Sequence, residues 1–332
     1  MTNRQRKASA GQGKKTPKTR RKTVGGNLSF GAAMKSFIGH LEGTAKAAHT
    51  IASYRFDLQS FDEFLRSQKN VAGLENVRTL TRKELERYGD WLKIDGQKTN
   101  TRRRKLMTVR KFMQYLAGRK KLDLDVGRKL PAPEKVERVP FTLDTAKLRA
   151  AALALPKDSH LRLRNAVLLL TLLETGASVS EVAALRWSMI DFENARLRFT
   201  GKSERELSLS KELLDRLEKL RVFAIDTQDL CFVGFNRFGP VRLGKKSLGI
   251  TPRGVEMLVK TLCESLGYPA TTPRTLRHSA VVAWFRGGIV EAEIQKRLGL
   301  KTPYTFRIYQ PIFAAIRAGG SPKSKTEATS IS

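Results

Sequence analysis

Toward the end of this chain of 332 residues, Arg274-Thr-Leu-Arg277-His278 opens an apolar helical stretch, and Tyr309 follows about three helical turns and a loop later. A guanidinium presents a planar fork of donors that suits two phosphate oxygens at once. A phenol oxygen is a nucleophile that can attack the phosphorus held in that fork. Breaking a phosphodiester without a metal takes a nucleophile, neutralisation of the nonbridging oxygens and a proton for the departing 5′ oxygen. Arg274, Arg277 and Tyr309 supply the first two requirements. The plainer alternative for Tyr309 is an amphipathic-helix tyrosine with a buried ring and a wet hydroxyl. His278 reads as a packed or hydrogen-bonding residue at the helix start, with a supporting role at the site.

Other motifs stand at telling distances from these residues. Thr175-Gly-Ala-Ser178-Val-Ser-Glu181-Val-Ala-Ala-Leu185-Arg-Trp187 comes first, Gly201-Lys202 makes a turn, and Leu298-Gly299 makes another ten residues before Tyr309. In that order the chain resembles the tyrosine recombinases, the phage-integrase and Xer-like enzymes, over roughly residues 27–315. The resemblance implies that Tyr309 forms a 3′-phosphotyrosyl bond conserving the energy of the broken linkage, so that no cofactor is needed. It makes Arg277 the second phosphate-gripping arginine and Lys202, 24 residues after Ser178, the general acid for the leaving oxygen. An exposed turn lysine is the other reading of Lys202, in a turn about two residues shorter than the family's.

Three positions depart from the family. Ser178 stands where the first catalytic arginine falls, and Ser178-Val-Ser-Glu181 reads as a capping box. Arg274 replaces the usual His or Lys, and Leu300 replaces the His or Trp after Leu-Gly. Losing a cationic clamp costs about 10³ to 10⁵ in rate, and losing one neutral donor about 10² to 10³. The departures imply impaired strand cleavage or, alternatively, a DNA-binding or regulatory protein that keeps the fold without the chemistry. One compensation is open: Arg274 presents the second guanidinium from another direction.

The elements that must position these groups read as mainly α with a small β-hairpin or sheet. A disordered basic arm is expected over 1–26, with nine Lys or Arg and no acid. Residues 27–118 read as a helical DNA-binding domain. Tyr54, Leu58, Phe61 and Leu65 form one stripe, a Thr81-x-x-Glu84 capping box opens a helix through Leu85, Tyr88 and Leu92, and a third helix begins at a Thr99 or Asn100 cap. That third helix buries Leu106, Val109, Phe112, Met113 and Leu116, leaving Arg102, Arg103, Arg104, Lys105, Arg110 and Lys111 as candidate DNA contacts. Residues 119–140, with three prolines, read as an extended linker. A mixed α/β domain over 141–316 carries the chemistry, with Arg196–Phe199 and Leu207–Leu209 flanking the Gly201-Lys202 turn. A polar tail fills 317–332. In the resembled family two such domains close like a clamp on duplex DNA, and four protomers assemble on two duplexes; Ile312, Phe313 and Ile316 either touch a neighbour or pack on their own domain.

Composition points the same way. Lys and Arg number 63 against 31 Asp and Glu, a net charge of +32 that calls for a polyanion. Double-stranded DNA is the expected partner; a general RNA-binding protein would share the charge but not the order of Lys202, Arg277 and Tyr309. A type IB topoisomerase shares the chemistry and differs in relaxing supercoils as a monomer. Cys231 and Cys263 form no Cys-x-x-Cys pattern and read as buried apolar residues of a reduced compartment. His40, His49, His160 and His278 lack partners at ligand spacing, so no metal is implied. Gly239 to Lys245 resembles a phosphate loop, but Lys246 holds the Ser/Thr position, leaving a basic loop. With no apolar run near the roughly 18 residues of a membrane span, a cytoplasmic, nucleoid-associated location is expected.

Overall fold

The computed structural model describes residues 26–319 except 45, 120, 123–124, 202, 224–228, 237–238 and 245, and gives only the backbone of 303–305. Most of the expected basic arm, Lys202 and most of the expected tail therefore lie outside the described residues. The chain divides after Val136 into two compact units. No described helix is long and apolar enough to cross a membrane.

The first unit is helical: α1 (Phe30–Gly43), α2 (Ala48–Ser67), α3 (Val71–Glu75), α4 (Arg82–Ile94) and α5 (Thr99–Gly118). Helical spacing explains its core. Leu58, Phe61 and Leu65 of α2, Leu85, Tyr88 and Leu92 of α4, and Leu106, Val109, Phe112, Met113 and Leu116 of α5 are all buried. Rings meet edge to face at their centre, Phe30 with Phe61 at 5.7 Å and with Phe112 at 5.5 Å, the arrangement ring quadrupoles favour. The Thr81 to Glu84 capping box forms, with Thr81 N–H donating to Glu84 at 2.7 Å.

Two expectations change here. α5 is capped by Lys98, so Thr99 and Asn100 already lie in its first turn; Asn100 instead pairs both ways with the backbone of Val136, at 2.9 and 3.0 Å. The stretch expected to be an extended linker is partly built into this unit, because Leu122 and Leu130 enter its core.

The second unit surrounds one central helix, α7 (His160–Thr175), with α6 (Thr145–Ala154), α9 (Lys211–Val222) and α11 (Pro273–Arg286) packed against it. Residues 166–173 of α7 are buried on every side, as a helix apolar all round its circumference requires. Its two buried threonines return their hydroxyls to the preceding turn, Thr171 to Val167 O at 2.8 Å and Thr175 to Thr171 O at 2.6 Å. Gly176, left-handed at φ +58°, ends the helix, and a Cβ there would press on Trp284 at 3.0 Å. The chain then enters α8 (Val179–Ala183).

A three-stranded antiparallel sheet follows, β1 (Ile190–Asp191), β2 (Arg196–Phe199) and β3 (Arg205–Ser208), in that order. Its hairpin joins β2 to β3 with Leu197 opposite Leu207 and Phe199 opposite Arg205. Two further hairpins, β4 (Phe235–Asn236) with β5 (Gly239–Pro240) and β6 (Arg242–Leu243) with β7 (Lys246–Ser247), precede α10 (Pro252–Ser265). The basic loop at Gly239 thus lies in hairpins, without the strand-loop-helix of a phosphate loop. The unit closes with α12 (Glu291–Arg297), a 3₁₀ segment over Pro303–Tyr309 and α13 (Gln310–Arg317). Ile312 and Phe313 are buried against their own unit, with Phe313 stacked on Phe285 at 3.8 Å.

Candidate active site

Helix α11 is the scaffold of the site. Thr272 caps it by accepting from Thr275 N–H at 3.1 Å, and Pro273 sits at its first position, where no N–H is needed. Helical periodicity then sets Arg274 and His278 one turn apart on the same face, with Arg277 beside them. Arg274 Nε donates to His278 Nε2 at 3.2 Å. On the other side of the ring, Nδ1 lies 2.6 Å from the Tyr309 hydroxyl. The structure therefore strings Arg274, His278 and Tyr309 into one hydrogen-bonded line. The hydroxyl is not in open water as the plainer reading of Tyr309 had it; the residue is 4% exposed, among Phe306, Phe313 and Leu298.

Arg277 is held differently. Its Nη1 donates to Gly176 O at 2.6 Å and its Nη2 to Leu298 O at 3.1 Å. Both carbonyls lie at helix C-termini, of α7 and α12, where the helix dipole is negative and a cation is favoured. The guanidinium is thereby fixed by backbone from two separate elements. Burial pulls its pKa below the usual arginine value, with Glu181 opposing.

Burial and the neighbouring Arg274 and Arg277 pull His278 down to about 4, so at neutral pH its ring is uncharged. Burial pushes Tyr309 up to about 12, while Arg277 and Arg274 act in the opposite direction. The phenol is protonated in the free protein.

Ser178 forms the capping box read from the sequence, its backbone N–H donating to Glu181 at 2.7 Å and its hydroxyl accepting from Glu181 N–H at 3.3 Å. Glu181 does more than cap. Arg205 donates to it through both Nη groups, the second at 3.2 Å, and Arg277 Nη1 lies 3.7 Å away. Arg205, the last residue of the Gly201-Lys-Ser-Glu-Arg turn, has no role readable from sequence, although the two-residue period of β3 places it with Leu207 on the inward face. It stacks over Phe199, its partner in the sheet, at 4.2 Å.

Lys202 is outside the described residues, but its setting is not. A Cβ on Gly299, at φ +63°, would fall 2.7 Å from Ser203 O, so the hairpin end rests directly on the Leu298-Gly299 turn. That turn in turn supplies the Leu298 carbonyl that holds Arg277. Leu300 packs with the apolar group around Phe306 and offers no side-chain donor. Beside the site opens a cavity of about 700 Å³ bordered by Ser178, Arg253, Lys260, Thr272, Arg274 and Arg277. Its lining is mostly apolar but includes four cations, Arg253, Lys260, Arg274 and Arg277, against one acid, Glu256, which pairs with Arg253 at 2.9 Å.

In the first unit the candidate contacts diverge. Arg104 is half exposed and pairs with buried Asp57. Lys111 Nζ donates to Tyr54 Oη at 2.9 Å, and Arg110 lies along Met107. Arg103 donates to Pro133 O at 2.8 Å, and Arg102 has its Nε buried. Lys105 turns inward, buried, with Nζ donating to Ser60 Oγ at 2.8 Å. The apolar stripe of α5 explains this: stepping back from Leu116 through Phe112 and Val109 lands on Lys105.

Known proteins share this plan. Residues 143–314 match the Phage integrase family and residues 34–120 the Phage integrase, N-terminal SAM-like domain. Tyrosine recombinase XerC of Roseiflexus castenholzii is 27% identical over 280 residues, 83% of this chain and 87% of the relative. Among solved structures, XerH site-specific recombinase bound to difH substrate aligns with a TM-score of 0.64 at 16% identity, covering 85% of this chain and 81% of that one. A lambda integrase dimer bound to a COC′ core site also gives 0.64, at 13% identity, covering 90% and 81%. With one family match spanning more than half its length, the chain belongs to the phage integrase family.

Proposed function

We propose that this protein is a site-specific DNA recombinase that cuts and rejoins strands of double-stranded DNA through a 3′-phosphotyrosyl intermediate on Tyr309. Tyr309 attacks the phosphorus, Arg277 and Arg274 neutralise the nonbridging oxygens, and Lys202 protonates the departing 5′ oxygen. Rejoining runs the same steps backwards. His278 supports the phenol, and no metal or cofactor takes part. Arg104, Lys111, Arg110, Arg103 and Arg102 meet the DNA backbone, while Lys105 serves the fold. The working assembly is a homotetramer on two duplexes, acting in the cytoplasm on the nucleoid.

The observation that carries this reading is the convergence of Arg274, Arg277, His278 and Tyr309 at one end of α11, beside a cavity that carries net positive charge. The relatives named above are recombinases by name, and two of the aligned structures hold DNA, which agrees. Incubation with nicked suicide duplexes from the flanking genomic DNA tests it: a covalent adduct forms with the wild type and not with Tyr309→Phe.

A second reading, a DNA-binding protein without turnover, draws on Ser178 and Leu300. The Ser178 hydroxyl is used in capping and Leu300 offers no donor, so two of the family's phosphate contacts have no counterpart. Salt-sensitive DNA binding with no adduct would select it.

A further inference from the structure

The line from Arg274 through His278 to Tyr309 fixes which ring nitrogen carries the hydrogen. An arginine Nε–H only donates, so His278 Nε2 must accept. A neutral imidazole with Nε2 accepting carries its hydrogen on Nδ1. That hydrogen points at the Tyr309 oxygen 2.6 Å away. In the free protein His278 thus donates to the phenol and cannot take its proton. The depressed basicity of His278, set by burial and then by the charges of Arg274 and Arg277, keeps the ring singly protonated, as this arrangement requires.

The two arginines differ in how firmly they are held. Arg277 is fixed by the Gly176 and Leu298 carbonyls, whereas Arg274 is exposed and its only bond among the described residues is the one to His278. Arg274 also borders the cavity, whose lining adds Lys260 and an Arg253 paired with Glu256, so a phosphate arriving there meets an excess of positive charge. A phosphate that recruits the Arg274 guanidinium removes the donor from Nε2.

We propose that Arg274 is a substrate-sensing lock on the nucleophile: while it donates to His278 the phenol proton has no acceptor, and when a DNA phosphate draws it away the ring changes tautomer and His278 becomes the general base. This rests on the strand-cleavage reading given above. With the hydrogen moved to Nε2, Nδ1 accepts the Tyr309 proton. The phenolate oxygen forms the bond to phosphorus, the bond from phosphorus to the 5′ oxygen breaks, and that oxygen leaves with its electron pair and takes a proton from Lys202. The imidazolium left on His278 returns its proton to Tyr309 when the strand is rejoined. Withdrawal of Arg274 also removes one of the charges that suppress His278 basicity. A charge-assisted bond biases the tautomers by roughly ten- to a hundred-fold, enough to hold the lock and little enough for a phosphate to release it.

The test is long-range proton–nitrogen correlation NMR of the full chain labelled at histidine, with His278 assigned by loss of its signals in His278→Gln. The free wild type is expected in the Nδ1–H form. Addition of mixed-sequence duplex DNA at low salt, or the exposed substitutions Arg274→Met and Arg274→Ala without DNA, should exchange it for Nε2–H. Retention of Nδ1–H in either circumstance overturns the proposal. Adduct formation on suicide duplexes is measured in parallel. An adduct without the tautomer change overturns the lock and leaves the recombinase reading intact. A tautomer change without an adduct supports the coupling and removes strand cleavage instead.

Discussion

Arg205 on β3 forks onto the carboxylate of Glu181 at the start of α8, and it does so from a side chain only 2% exposed. The same carboxylate lies 3.7 Å from Arg277, so a hairpin residue steadies Arg277 through an acid that also caps α8. Removing one partner of a buried pair leaves the other charge uncompensated. Arg205→Met should lower stability by about 3 to 5 kcal/mol in denaturant unfolding. A loss under about 1 kcal/mol would mean that Glu181 finds its compensation elsewhere.

The same hub sets a pH limit. Burial alone would raise the Glu181 pKa, but bonds from Arg205 and Ser178 win and hold it below the ordinary value of 4.5. A depressed carboxylate contributes stability that is complete above its unfolded pKa and is lost as pH falls through the folded one. Stability should therefore drop as the solution is acidified below about pH 4.5, and Glu181→Gln should flatten that part of the profile. An unchanged acid limb in Glu181→Gln would assign the loss to other carboxylates.

Much of this was legible in the sequence because periodicity and spacing carry it. The stripes of α2, α4 and α5, the two capping boxes and the hairpin around Gly201 follow from local pattern alone, and His278 is the hydrogen-bonding residue at the helix start that its place in the sequence suggested. What escaped depends on contacts between distant segments. Arg205 is an arginine in a short strand until the sheet turns it onto Glu181, and Lys105 looks like its exposed neighbours until α2 offers Ser60. Gly176 and Leu298 act through backbone carbonyls, which no side-chain motif records. The first stretch after α5 looked like a linker because its prolines hide two leucines that complete the first unit's core.

Lys105 and Arg104 are adjacent in sequence yet should behave oppositely toward DNA. Arg104→Ala or Lys111→Ala should weaken binding across sequences and reduce the slope of log affinity against log salt by about one phosphate each. Lys105→Met should leave that slope unchanged and shift the unfolding midpoint instead. A fall in slope for Lys105→Met in filter-binding or anisotropy titrations would show that its ammonium reaches DNA.

Ser178→Arg places a guanidinium at the edge of the cavity beside Arg277. It sacrifices the cap, at about 1 kcal/mol of stability. Strand cleavage should rise by at least about ten-fold, a part of what a lost cationic clamp costs. A rate equal to or below the wild type on suicide duplexes would show that the site does not lack that charge.

The most direct measurement is the attachment point and polarity of the covalent adduct. After reaction with a suicide duplex and trypsin digestion, mass spectrometry should find the nucleotide on the peptide spanning 308–317, at Tyr309, through a 3′-phosphate, with a free 5′-hydroxyl on the released strand. Attachment at another residue, a 5′ linkage, or no adduct from protein that demonstrably holds the duplex would contradict the account.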